Sequence, residues 1–176
     1  MVNLRFRPAQ TEDLQRLTNL VNSAYRGESS KAGWTTEADM LGGQRTDPVT
    51  LASMITENQV ILIAEVDTGP DLLACVYLKR KSSDEAYLGM LTVSPTLQAN
   101  GLGRQVLNAA EEFAHRQWKC SIMSMRVIDI RPELISWYLR RGYSKTEKFE
   151  PFPYGDENFG IPKRPDLRFV VLEKTL

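Results

Sequence analysis

LTVSPTLQANGLGRQVLNAAEEFA, residues 91–114, begins in a β-rich run and ends in a helical one. Ala86 to Val93 has strand composition, whereas from Gly101 to Trp118 the residues Leu102, Val106, Ala109, Ala110, Phe113 and Ala114 share one helical stripe. Between them lie Ser94 to Asn100 and then Gly101-Leu102-Gly103-Arg104. A strand, a glycine turn and a helix start make an anion site. The first N–H groups of a helix have no intrahelical acceptor, the dipole there is positive, and glycine lets an anion approach the backbone. On spacing alone, a second reading stands beside it, in which Gly101 and Gly103 only permit a tight turn against a sheet. Two nucleotide motifs fail in detail. A dinucleotide fingerprint needs a third Gly or Ala where this chain has Val106, and the strand here stops at Val93, too early for it. A Walker loop would end in Gly-Lys-Ser/Thr, a tripeptide the chain lacks.

Working outward, Val60 to Val66 and Leu72 to Lys79 are further β-rich runs joined by the turn Asp67-Thr68-Gly69-Pro70-Asp71, so a β-meander is expected. Leu4 to Arg7 reads as a first strand, and Thr11 as the N-cap of a helix carrying Leu14, Leu17, Val21 and Ala24. Residues 26–36 (RGESSKAGWTT) lack periodicity and read as a loop. A short polar helix is expected from about Thr36 to Leu41, ended by Gly42 and Gly43; another starts at Asp47-Pro48 and buries Leu51, Met54 and Ile55. Downstream, Ile122 to Val127 reads as a strand with Met123, Met125 and Val127 on one face. A helix from Pro132, apolar through Leu134, Ile135, Tyr138 and Leu139, stops at Gly142. A strand near Tyr143, the loop PFPYGDENFGIPKRPD (151–166) and a last strand, Leu167 to Glu173, complete the order. With no repeat or linker, the expectation is one α/β domain over 1–176 with a mixed sheet.

At 176 residues the chain is long enough for one core that buries ~70% of the surface its unfolded form exposes. Its 42% hydrophobic and 25% charged residues exclude disorder, collagen and coiled coil. The 22 Lys and Arg cancel the 22 Asp and Glu, so there is no global field to hold nucleic acid or an anionic membrane, and any anion must be bound locally. Apolar runs such as Leu72 to Leu78 fall short of the ~20 residues of a spanning helix, and Met1 to Arg7 has no signal-peptide core. A cytoplasmic protein with neither nucleic acid nor membrane as partner is therefore expected. Cys75, Cys120 and the lone His115 do not make a usual zinc set, and no metal is expected. The cysteines read as small buried hydrophobes, His115 as a surface residue, and Lys79 to Lys81 as a solvated strand tip.

Gln98-Ala99-Asn100-Gly101-Leu102-Gly103 resembles the acetyl-CoA signature of the GNAT superfamily of N-acetyltransferases, Gln/Arg-x-x-Gly-x-Gly/Ala, with Val93 and Pro95 in that family's upstream positions. The opening LRFRPAQTEDLQRL looks like the family's first strand and helix, and Tyr138-Leu139-Arg140-Arg141-Gly142-Tyr143 like its Tyr-x-x-x-Gly-aromatic segment. The resemblance covers nearly the whole chain. It implies a twisted, mostly antiparallel central sheet of about six to seven strands with helices on both faces. Arg131 and Leu134 stand where many members carry Asn and Ala, and Tyr87 where some place a carboxylate base.

The function so implied is acetyl transfer from acetyl-CoA to an amine by direct attack, with a small-molecule primary amine as the leading acceptor. A protein N-terminus or lysine is the alternative within enzymes, and a non-catalytic acyl-CoA sensor the alternative outside them. The resemblance lays pantetheine along Leu91, Thr92 and Val93. It places pyrophosphate on the backbone of the Gln98 to Arg104 loop (Gln98, Ala99, Asn100, Gly101, Leu102, Gly103 and Arg104), with the Arg104 side chain either adding a charged contact or standing as a solvated helix charge. Tyr138 becomes the candidate acid for the leaving thiolate, although its apolar stripe alone would make it a core aromatic. Glu85, on the same strand face as Tyr87, is the candidate base, with a solvated strand end as the other reading. Trp34 and Glu37, in an irregular loop expected to close over the acceptor, are candidate substrate contacts; Glu37 would attract an ammonium group. Acyl length, the acceptor and a homodimer are left open.

Overall fold

The computed structural model describes residues 4–66 and 69–176. Strand β1 (Leu4–Pro8) leads through a 3-10 turn, Thr11–Asp13, into α1 (Leu14–Tyr25). Then come α2 (Gly27–Ser30), β2 (Leu41–Gly42), α3 (Pro48–Ser53), β3 (Gln59–Val66), β4 (Leu72–Arg80) and β5 (Glu85–Val93). The second half holds α4 (Leu102–Trp118), β6 (Ile122–Ile128), α5 (Pro132–Leu139), β7 (Ser144–Pro151), β8 (Ile161–Pro162) and β9 (Arg168–Thr175). A seven-stranded sheet runs β1-β3-β4-β5-β6-β9-β7, antiparallel throughout except between β5 and β6. This is the mixed, mostly antiparallel sheet expected. Among the described residues no helix is long and apolar enough to cross a membrane.

Strand alternation sends the apolar residues of β3 and β4 to opposite faces. Val60, Leu62, Val76 and Leu78 join Val106, Leu107 and Ala110 of α4 with Ile135 and Tyr138 of α5. Ile61, Ile63 and Cys75 meet Leu17, Val21 and Ala24 of α1 and Leu51 of α3 on the other side. The carboxylate of Asp47 accepts the Thr50 N–H at 2.7 Å and caps α3, a bond of about 1 kcal/mol.

One irregularity in β5 shapes everything that follows. Ala86 and Leu88 face α4, and strict alternation would send Met90 there too; instead Met90 joins the α1 side, and Leu91 and Val93 take the α4 side. An extra residue in β5 causes the switch, because pairing with β4 steps from Tyr77↔Gly89 to Cys75↔Thr92 and Met90 sits at φ 51. Pairing with β6 covers only Glu85↔Ile122 to Tyr87↔Ser124. Beyond Tyr87 the two strands part, leaving the β5 edge from Leu88 to Val93 without a strand partner on that side among the described residues.

Four local expectations are corrected. Thr11 opens the 3-10 turn instead of capping a helix; the cap lies one residue earlier, where Asp13 accepts the Gln10 N–H at 2.9 Å. Thr36 to Leu41 makes a single turn, Met40 and Leu41 both donating to the Glu37 carbonyl, because Leu41 and Gly42 are drawn into β2 against Pro162 and Ile161 of β8. The loops 26–36 and 151–166 accordingly contain a helical turn, α2, and the strand β8. Leu139 is 41% exposed, so the apolar stripe of α5 ends at Tyr138. Of the turn at 67–71, Asp67 and Thr68 lie outside the described residues.

Candidate active site

Where β5 parts from β6, a cleft of about 500 Å³ opens, walled by Leu91 and Val93, by the glycine loop and by α5 with the two arginines after it. Gly101, at φ 79, precedes α4, and the first intrahelical bond runs from Gln105 N–H to Gly101 O. The N–H groups of Leu102, Gly103 and Arg104 are thus the unpaired donors of the helix start. The two glycines are constrained differently. A Cβ on Gly101 would meet nothing within 4 Å, so its φ is what matters; a Cβ on Gly103 would stand 3.3 Å from Trp137 Cζ2. The Arg141 guanidinium lies 3.6 Å from the Trp137 ring centroid and donates to Trp137 O at 2.7 Å, yet its Nε is buried without a partner among the described residues. Burial, then the neighbouring Arg140 and Arg104, lowers the Arg141 pKa. Three guanidiniums therefore crowd the end of the cleft nearest the helix start, an arrangement that an anion neutralises.

Of the expected cofactor residues, Leu91, Val93, Gln98, Ala99, Gly101, Gly103 and Arg104 line this cleft. Thr92, Asn100 and Leu102 do not: Thr92 is buried on the far face with its hydroxyl on Met90 O, and Leu102 packs on the core. The Gln98 side chain is a staple. Its Oε1 accepts from the N–H of Trp34 (2.9 Å) and Thr35 (3.3 Å), and its Nε2 donates to Thr35 Oγ1 (2.8 Å) and Val93 O (3.1 Å).

A second cleft, about 120 Å³, lies between Tyr87 to Leu91 of β5 and Met125 to Ile128 of β6. It shares Tyr25, Leu91, Leu134 and Tyr138 with the first, so these four form the wall where the two meet. Tyr138 is 6% exposed, and burial pushes its hydroxyl well above the usual phenol range, which keeps it protonated. Tyr25 and Tyr143 commit their hydroxyls, to Leu91 O and to Glu111, whereas that of Tyr138 has no hydrogen bond among the described residues. Burial, and next the charge of Glu37, raises Tyr25 to about 12.

The acceptor-side expectations fare differently. Glu85 is not at either cleft: its carboxylate takes Lys81 and, at 2.6 Å, the Ser124 hydroxyl, at the paired end of β5. Roughly 20 Å of strand separates it from Leu91. Burial acts to raise its pKa, but Lys81 and Ser124 prevail and lower it. Glu37 does line the second cleft, but its two oxygens are held by Arg26 (2.6 Å) and Arg131 (3.2 Å), all three side chains being largely buried. It is a clamp for its own loop and not a free lure for an ammonium group. Trp34 stands on the rim of the first cleft, tilted against Trp137 at 6.3 Å and 41% exposed. His115 is exposed and both cysteines are buried.

Tyr25, Trp137, Arg141 and Arg45 are site residues that the sequence reading passed over. Leu134, Trp137, Tyr138 and Arg141 recur at helical spacing, a pattern that finds two of them. Arg45 carries no such signal. Arg131, noted only as a departure, ties the 26–46 segment to α5 through Glu37 and through Thr35 O at 2.7 Å. Among the described residues no three His, Cys, Asp or Glu side chains gather as a metal set.

Residues 14–143 match the family model described as the acetyltransferase (GNAT) family. No curated protein sequence matches the chain. Solved structures do. The ribosomal-protein-S18-alanine N-acetyltransferase of Escherichia coli is 15% identical, with a TM-score of 0.70 over 98% of this chain and 94% of that one. The PaiA N-acetyltransferase of Thermoplasma acidophilum in complex with coenzyme A is 17% identical, with a TM-score of 0.69 over 99% of both chains. A spermidine N-acetyltransferase of Vibrio cholerae is 14% identical, with a TM-score of 0.69 over 98% of this chain and 93% of that one. At such identities these likenesses speak for the fold.

Proposed function

The chain belongs to the acetyltransferase (GNAT) family and is an acetyl-CoA-dependent N-acyltransferase, and we propose that its acceptor is the primary amine of a small molecule, which attacks directly. The observation that carries this reading is the meeting of the two clefts at Tyr138, with an anion-suited helix start at the far end of one and a small volume in the other. Acetyl-CoA supplies an activated acyl carbon on a thiolate leaving group. The open β5 edge from Leu88 to Val93 offers backbone groups to its pantetheine arm. The N–H groups of Leu102 to Arg104, with Arg104, Arg140 and Arg141, suit its pyrophosphate. The unpartnered Arg141 Nε and the crowding of three guanidiniums are what an anion there would resolve.

Tyr138 is the group that donates a hydrogen bond, and then a proton, to the departing sulfur, because its hydroxyl is protonated and uncommitted at the junction. No base is needed from a carboxylate. Glu37 is held below the usual range by Arg131 and Arg26 against the upward push of burial, which makes it a weak base. Arg45, Arg126 and Arg131, which line the second cleft, lower the pKa of an amine bound there, since like charge disfavours ammonium. The proton leaves to water. A volume of about 120 Å³, roughly four water volumes, favours a small acceptor over a peptide chain. We propose the cytoplasm as the place of the reaction.

Incubation with acetyl-CoA and an amine panel, following thiol release, tests the reading. Release that depends on a small amine is expected. Release only with peptides, or binding of acetyl-CoA with no transfer to any amine, would replace it with one of the alternatives.

A further inference from the structure

Resting on the reading above, we propose that the acceptor is an amino acid-like molecule, whose carboxylate is held by Arg45 in the second cleft. The placement of Arg45 is built in. Asn22 of α1 accepts the N–H groups of Arg45 (2.7 Å) and Thr46 (3.0 Å) on its Oδ1 and donates from Nδ2 to Thr46 O (3.0 Å). That three-bond clasp fixes the backbone from which the Arg45 side chain enters the cleft, its guanidinium 5.8 Å from the Tyr25 ring centroid. Among the described residues the guanidinium has no ion-pair partner, whereas Arg26 and Arg131 share Glu37 and Arg126 has Glu150 at 3.0 Å. Its charge reaches inward: it adds to Arg131 and Arg26 in lowering Glu37, and it opposes the burial that raises Tyr25 and Tyr87.

Three guanidiniums, of Arg45, Arg126 and Arg131, thus line the cleft against one carboxylate, Glu37, and the balance stays positive when the ion-pair partners Arg26 and Glu150 are included. A polycationic amine meets repulsion here. An amine that brings its own carboxylate completes the charge balance, and a guanidinium presents a planar fork that matches a carboxylate in two parallel bonds. Arg126 lies across the Phe169 ring at 4.8 Å and has donors to spare beyond its one bond to Glu150, which makes it the second group in reach of the anion. The amine at the other end then faces Tyr138 and the thioester. A cleft of about 120 Å³ suits a compact carboxylate.

The experiment compares L-amino acids with their decarboxylated amines and their amides, at matched concentrations of neutral amine, as acceptors for acetyl-CoA. For at least one pair, such as alanine with ethylamine and alaninamide, kcat/KM for the acid is expected to exceed both by about tenfold or more. Arg45→Gln should lower the value for the acid by about ten- to a hundredfold and that for the amine by less than about threefold, with Arg45→Lys in between. Equal use of acid and amine, or equal loss on both in Arg45→Gln, overturns the proposal. Thermal shifts by the same amino acids with coenzyme A present separate it from the functional reading. A shift in the native protein that Arg45→Gln abolishes, without turnover of any amine, upholds the carboxylate site and sinks acetyl transfer to amino acids. Neither shift nor turnover sinks the site.

Discussion

The first cleft draws most of its walls from two short stretches, residues 91–104 and 133–141, with Tyr25 and a rim from Trp34 and Thr35, and much of what it offers is backbone: a strand edge and a helix start. The second collects Tyr25, Glu37, Arg45, Arg126, Arg131 and Phe159, side chains from segments scattered along the chain. A site made of main chain needs only the right secondary structure at the right place. A site made of distant side chains depends on which charges find one another, and here most have: Glu37 with Arg26 and Arg131, and Arg126 with Glu150. Substitutions at the second cleft should therefore register first as stability and those at the first as affinity.

Glu37→Gln gives the largest effect. It leaves two largely buried guanidiniums without their anion, at a cost of about 3–5 kcal/mol, read as a loss in urea unfolding. The pH dependence follows from the lowered Glu37 pKa. A carboxyl held lower in the folded state stabilises fully above its ordinary value of 4.5 and loses that contribution as pH falls through the folded value. The native protein should lose stability on acidification below that point more steeply than the variant. Parallel curves would show that the clamp does not depend on the charge.

Next in size are the paired glycines. Gly103→Val drives a branched side chain against Trp137 and should weaken acetyl-CoA by roughly a hundredfold, about 2–3 kcal/mol, in a titration. Gly101→Ala has room for its Cβ but an unfavourable φ, so it should cost about 1 kcal/mol of stability and much less affinity. If both behave alike, packing on Trp137 is not what shapes the loop.

Tyr138→Phe keeps the packing and removes only the hydroxyl; kcat should fall about 10- to 100-fold while acetyl-CoA affinity holds within about threefold. An unchanged kcat, with chemistry limiting, would make Tyr138 a wall and nothing more. Glu85→Gln should be the mildest, with kcat and the pH–rate profile within about twofold of native, because its carboxylate is committed to Lys81 and Ser124 away from both clefts. A shifted profile would bring that end of β5 back into the chemistry.

Most of the first cleft was legible because its signals are local. The strand ending at Val93, the glycines at 101 and 103 and the stripe of α4 each follow from spacing within a turn or two, and the tyrosine motif of α5 from a resemblance carried by a few adjacent residues. Glu85 misled because its face is set by strand parity, while its reach depends on where β5 leaves β6. The opening at Tyr87 has no mark in sequence, and the turn-over at Met90 has only the lone Gly89, which signals a bulge or a close backbone approach without saying which.

What the sequence by itself determined is the order of strands and helices, the alternation that buries β3 and β4 on both faces, and the anion-suited start of α4. Periodicity and capping act over a few residues and are written along the chain. Tertiary structure alone decided that Glu37 is clamped, that Gln98 staples the 33–35 segment, and that Arg45 alone of the three arginines lining the second cleft is left without an ion-pair partner among the described residues. Each is the outcome of a through-space choice among charges, fixed by which segments the sheet brings within a few ångströms of one another.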